Sequence, residues 1–155
     1  MKTGDRAPDF TLFNEQKRPV NLYSELDKGP VVLLFYPAAF TGVCTNELHM
    51  VSNDLDSYKP AQVFGISTDT LFVQAEFSKV NAFKVSLLSD HDASVAAAYD
   101  AKFNGDFGPM KYDRIAKRAA FVIDRDGTVV YDEVLANPGN LPDLEAIQNV
   151  LADLK

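Results

Sequence analysis

The chain holds a single cysteine, Cys44, in the segment Tyr36-Pro37-Ala38-Ala39-Phe40-Thr41-Gly42-Val43-Cys44-Thr45-Asn46-Glu47. One thiol excludes an intramolecular disulfide and a zinc site built from several cysteines. Two readings remain: a small buried hydrophobe, or a reactive thiol. An apolar run ends at Pro37 and a helical pattern begins near Thr41 or Gly42. Cys44 is therefore expected in or near the first turn of a helix, at the C-terminal end of a central strand. Open α/β sheets place ligand sites at that end. Unpaired backbone N–H groups and the positive end of the helix dipole favour an anion there.

At an ordinary pKa of about 8.5, only roughly 3% of a thiol is thiolate at pH 7. Helix N-termini and nearby cations lower thiol pKa values to roughly 3.5–7.5. A value of about 6 raises the thiolate fraction only ~30-fold, and a less basic thiolate is a weaker nucleophile. Deprotonation alone does not make a fast enzyme. Catalysis at this thiol also requires a held substrate and stabilised charge on the leaving group.

The elements that must position the segment are legible from hydrophobic spacing. Strands are expected at 9–14 and 20–23, around the polar stretch 15–18. The continuous apolar run 31–36 reads as a central strand covered on both faces. Helical spacing covers 41–58, followed by a buried strand at 63–67 and a helix at 71–80. A short strand at 87–88 precedes a helix at 93–101, with Asp92 as its expected N-cap. The stretch 102–117 is polar and irregular. Strands at 118–124 and 128–134 flank Asp126-Gly127, a hairpin signal, and a helix at 141–154 closes the chain. Alternating strands and helices with a late hairpin predict an α/β fold: a mixed central sheet flanked by helices on both faces, with an N-terminal β-hairpin.

The chain has 155 residues, 46% of them hydrophobic and 24% charged, which predicts one soluble domain over 1–155. Its formal net charge of −7 argues against a nucleic-acid or anionic-membrane partner. No apolar run approaches the roughly 18 residues of a spanning helix. The N-terminus is polar, so a reducing, cytoplasmic setting is expected. Neither His49 nor His91 forms a His/Cys pattern for a metal.

Pro37, Thr41 and Cys44 spell Pro-x-x-x-Thr-x-x-Cys, which resembles the active-site motif of the peroxiredoxins, cysteine-based peroxidases on a thioredoxin-like fold. The similarity runs along most of the chain. Ala7-Pro8-Asp9-Phe10, Leu87-Leu88-Ser89-Asp90 with Tyr99, and Arg118-Ala119-Ala120-Phe121-Val122-Ile123-Asp124 look like stretches of that family. The Cys44 segment and Asn137-Pro138-Gly139 resemble the bacterioferritin-comigratory-protein and alkyl hydroperoxide reductase E branches.

The resemblance implies that Cys44 attacks a peroxide oxygen as thiolate and becomes a sulfenic acid. It implies that Thr41 donates a hydrogen bond to the peroxide and accepts one in turn. Arg118 lowers the thiolate's pKa and stabilises charge at sulfur and on the peroxide. Pro37 shields the sulfur, the N–H groups of Val43 and Cys44 polarise the peroxide, and Glu47 orients Arg118. Read without the family, Thr41 is a helix N-cap, Arg118 a rim charge, Glu47 a first-turn acid and Pro37 a strand terminator. No metal, haem or other cofactor is implied.

The second cysteine of two-cysteine members is missing, and His49 stands five residues after Cys44, where some branches carry it. The sequence therefore looks like a one-cysteine member that needs an external thiol: a thioredoxin, a glutaredoxin or a low-molecular-weight thiol. A thiol-disulfide oxidoreductase is disfavoured because Cys44-Thr45-Asn46-Glu47 lacks a Cys-x-x-Cys pair. A redox sensor, oxidised but not turned over, stays open. Apolar residues near Phe40, Leu71-Phe72 and the stretch 103–110 predict a homodimer or a higher homo-oligomer. Light scattering at high protein concentration checks this: a dimer mass is expected, and a purely monomeric mass counts against it.

Overall fold

The computed structural model describes residues 1–154. Thr11–Asn14 (β1) pairs antiparallel with Pro19–Asn21 (β2), giving the expected N-terminal hairpin. Its turn is held by Asn14, whose Oδ1 accepts from the backbone N–H groups of Gln16 and Arg18. The strand expected through Tyr23 stops earlier. Asn21 caps Leu22–Leu26 (α1), its side chain accepting from Ser24 N–H, and local capping overrides the apolar pattern.

The apolar run forms Val31–Phe35 (β3), buried throughout. Gly42–Ser52 (α2) follows, and the helix expected to reach residue 58 breaks at Asn53. There Asp54 accepts from the hydroxyl and the N–H of Ser57, starting a separate 3-10 turn over Leu55–Tyr58. Next come Gln62–Ser67 (β4), Leu71–Asn81 (α3), Ser86–Ser89 (β5) and Ser94–Ala98 (α4). Ala119–Ile123 (β6) and Val129–Val134 (β7) form the late hairpin, and Leu144–Asp153 (α5) follows.

The strands make one seven-stranded sheet in the order β2-β1-β5-β4-β3-β6-β7. β3, β4 and β5 run parallel, and the remaining pairings are antiparallel. Side chains alternate across β3. Val31, Leu33 and Phe35 pack with Leu22, Leu26, Val95 and Tyr99, from α1, α4 and its C-cap. Val32 and Leu34 face Leu48, Phe77, Ile147 and Leu151, from α2, α3 and α5. Helices thus cover both faces, as the continuous apolar run requires. Among the described residues, no helix is long and apolar enough to cross a membrane.

The start of α4 corrects the capping expectation. Asp92 accepts from Ser94 N–H, but the buried carboxylate of Asp90 takes the N–H groups of Val95 and Ala96, at 3.1 and 2.8 Å. Burial pushes the Asp90 carboxyl above the usual range. Asp90→Ala leaves both amides without an acceptor in the interior and is expected to cost about 2–4 kcal/mol. Asp90→Asn, which keeps one acceptor oxygen, is expected to cost less. Urea unfolding of the two variants beside wild type checks the order.

Candidate active site

Pro37 ends the central strand because it has no N–H for the ladder; Tyr36 makes the last such bond, donating its N–H to Ile66. The chain then turns through Phe40, which is left-handed at φ 66°, into α2. Thr41 holds the N-cap position but makes no capping bond. Its Oγ1 instead donates to the Ala38 carbonyl at 2.8 Å. The amides of Val43 and Cys44, which an N-cap side chain ordinarily occupies, are thereby left uncapped. Cys44 lies in the first helical turn, 1% exposed.

Arg118 comes from 74 residues away, and sheet register explains its arrival. β6 runs antiparallel to β3 with Ala119 opposite Phe35, so the residue before β6 sits beside the end of β3. The guanidinium is almost wholly buried. Its Nη2 donates to Cys44 Sγ at 3.2 Å and to the Pro138 carbonyl at 2.9 Å. Its Nη1 donates to Glu47 Oε1 at 2.7 Å. Glu47 lies three residues after Cys44, so both side chains share one helix face.

Cys44, Thr41, Val43, Pro37 and Arg118 line one cavity of about 240 Å³ together with Ala38, Gly42, Phe107, Pro138 and Gly139. Glu47 lies behind Arg118, outside that lining. Phe107 carries no sequence signal for this place, because nothing in the irregular stretch 102–117 fixes where its side chain lands. His49 is elsewhere: its Nε2 meets Asn81 Oδ1 at 2.9 Å and its ring stands edge-on to Phe83. His91 is exposed, with Nδ1 near the Thr68 carbonyl. A larger hollow of about 500 Å³ lies among Lys59, Val63, Lys84 and Ser86, at the opposite end of the parallel strands, and Cys44 does not line it.

The chain is similar to known proteins along most of its length. The family described as the AhpC/TSA family matches residues 3–132. The chain belongs to that family. A Mycobacterium tuberculosis protein, Rv1608c, is 41% identical over 133 residues, covering 84% of this chain and 83% of its own length. Peroxiredoxin Bcp of Escherichia coli K12 is 34% identical over 137 residues, covering 86% of each. The crystal structure of peroxidoxin BcpB from Mycobacterium tuberculosis superposes with a TM-score of 0.86 at 34% identity, over 100% of this chain and 99% of that one. The expected peroxiredoxin membership and thioredoxin-like fold hold, and thiol-dependent peroxide reduction is the activity these likenesses support.

The charge balance in this peroxiredoxin centres on Glu47. Burial pushes its carboxyl up to about 7, against the downward pull of Arg118. Its Oε2, like Arg118 Nε, has no hydrogen-bond partner among the described residues. A carboxyl with a raised folded pKa ionises first in the unfolded chain. Its contribution to stability therefore worsens as pH climbs from about 4.5 to about 7, and stays constant above. Glu47→Gln removes that slope. In urea unfolding between pH 4 and pH 8, wild type is expected to lose stability relative to Glu47→Gln across this window; a flat difference contradicts the assignment.

Proposed function

We propose that the chain is a one-cysteine thiol peroxidase for hydrogen peroxide, organic hydroperoxides or peroxynitrite. The observation that carries this reading is the 3.2 Å contact from Arg118 Nη2 to Cys44 Sγ on the wall of a cavity. The Cys44 thiolate attacks the outer oxygen of ROOH. An S–O bond forms as the O–O bond breaks, sulfur is oxidised to the sulfenic acid, and the departing RO⁻ takes a proton to leave as ROH. Arg118 stabilises negative charge at the sulfur and on the peroxide oxygens. The uncapped amides of Val43 and Cys44 add fixed partial positive charge. Pro37 covers the sulfur, and Glu47 holds the guanidinium by its far nitrogen.

Thr41 departs from the expected role in one respect. A hydroxyl has one proton, and this one goes to Ala38. What Thr41 offers the peroxide is then a lone pair, so it accepts from the substrate's O–H.

An external thiol R′SH then displaces water from the sulfenic sulfur, giving a mixed disulfide. A second thiol releases the Cys44 thiol and R′S–SR′. Thioredoxin, glutaredoxin and low-molecular-weight thiols all have the required group, and no metal or prosthetic group takes part. Consumption of thiols fits a reducing, cytoplasmic setting. A homodimer fits the exposed side chains of Phe40, Phe72, Met110 and Tyr112 on the described surface. Phe103 of the same irregular stretch is buried and packs on Phe107, so only part of that stretch is open to a partner.

Stopped-flow loss of peroxide with reduced protein tests the reading. Cys44→Ser is expected to abolish the reaction, and Arg118→Ala to slow it about 10²–10³-fold. Wild-type oxidation no faster than that of a free low-pKa thiol contradicts a peroxidase. Fast oxidation that no thiol reductant reverses in repeated cycles favours the redox-sensor alternative.

A further inference from the structure

Between the end of β4 and the start of α3 lies a half-buried carboxylate, Asp69, that does not line the Cys44 cavity. Its Oδ2 accepts the N–H of Ala39 at 2.8 Å and the hydroxyl of Ser67 at 2.7 Å. Ser67 Oγ in turn accepts from Nε2 of the buried Gln74, at 3.0 Å, and that nitrogen also donates to the Leu88 carbonyl. The Asp69 carbonyl accepts from Ser89 Oγ at 2.6 Å. Asp69 is thus anchored to β4, β5 and α3, and its free function is to grip the loop before the Cys44 helix.

That loop needs gripping. Phe40 holds a left-handed conformation at φ 66°, which is costly for a non-glycine residue and persists only when its surroundings impose it. Pro37 and Ala38 line the Cys44 cavity on one side. They also line a second cavity of about 280 Å³, shared with Asp69, Tyr112 and Arg114. The loop is a wall between two cavities; Phe40 packs on the buried Phe77 ring at 4.9 Å, and Asp69 is the side chain that holds the Ala39 amide of its middle. Ala39, which Asp69 holds, directly follows Ala38, whose carbonyl takes the Thr41 proton.

We propose that Asp69 is a positioning residue for peroxide reduction: by tethering the Ala39 amide it fixes the Ala38 carbonyl, which aims the Thr41 hydroxyl oxygen into the cavity and keeps it off the α2 amides. Asp69 touches no reacting atom. It acts through Ala38 and Thr41, and acceptor geometry rather than charge is what it supplies. The proposal rests on the peroxidase reading above.

The test compares two reactions of Cys44 by stopped flow. Peroxide needs Thr41 in place; alkylation by iodoacetamide needs the thiolate and access to it but no acceptor for an O–H group. Asp69→Ala is expected to slow peroxide oxidation about 10–100-fold, the scale of a displacement transmitted from a distance. Its alkylation rate is expected to stay within about 3-fold of wild type. Asp69→Asn, which keeps an acceptor oxygen, is expected to stay within about 3-fold in both reactions. In a Thr41→Val background, Asp69→Ala is expected to add less than about 3-fold, since both act through one hydroxyl.

Unchanged peroxide reactivity in Asp69→Ala overturns the proposal. So does a parallel fall in alkylation, an Asp69→Asn variant as slow as Asp69→Ala, or full additivity with Thr41→Val. Should Asp69→Ala not fold, Ser67→Ala loosens the same carboxylate. A loss of about 3–10-fold on peroxide alone is then expected, and no loss overturns the proposal. A wild-type protein that is itself slow with peroxide defeats the peroxidase reading. A fast wild type with an equally fast Asp69→Ala defeats only the positioning role.

Discussion

A guanidinium with 1% of its side chain exposed is an expensive thing to build into a domain. Moving such a charge out of water costs several kcal/mol, repaid only by close, well-directed partners. Arg118 has three: the Glu47 carboxylate, the Pro138 carbonyl and the sulfur of Cys44. Two of them sit on one helix face and the third on the chain after β7, so the cation ties the Cys44 helix to that segment. It also leaves a carboxyl whose burial and ion pairing pull its protonation in opposite directions. The arrangement favours negative charge beside the sulfur, because Glu47, its carboxyl pushed up to about 7, balances the guanidinium only in part near neutral pH.

The backbone contributes a second, independent preference for negative charge. An N-cap threonine commonly closes the amides of its helix, at a gain of about 1 kcal/mol. Thr41 instead bonds backward to Ala38, and the first turn of α2 stays open toward the cavity. Local stability is given up at the edge of the Cys44 cavity. The central strand makes that possible: β3 is buried along its whole length and ends at a residue that cannot continue its ladder.

Much of this was legible in the sequence, for physical reasons that differ by element. The run 31–36, bounded by Gly29-Pro30 and Pro37, suits a central strand, and its stop at Pro37 puts Cys44 near a helix start. Elements expected from periodicity alone were less well bounded. Asn21 and Asp54 ended patterns that hydrophobic spacing continued, because their side chains offered backbone groups a local partner. Asp90 displaced Asp92 as the main cap for a similar reason: two acidic residues two positions apart look alike until burial distinguishes them. In the site, Pro37, Thr41, Val43, Cys44 and Arg118 were named from a motif and meet around one cavity. Phe107 and Asp69 could not be named, since neither has a spacing relation to Cys44 and both arrive through tertiary packing.

If Cys44 is the peroxidatic residue as proposed, the geometry also constrains the order of events at its sulfur. Arg118, Glu47 and Pro37 are buried around Cys44, with the guanidinium against the sulfur. The exposed members of the cavity lining are Thr41, Gly42 and Gly139, so these mark its mouth. A peroxide and a reducing thiol must therefore reach the same sulfur through the same opening. The alcohol or water formed in the first step has to leave before the thiol can enter. A chain with one cysteine cannot avoid this by resolving the sulfenic acid from within. On the proposed one-cysteine reading the two half-reactions are separated in time, with the oxidised cysteine as the species that carries the oxidising equivalent between them.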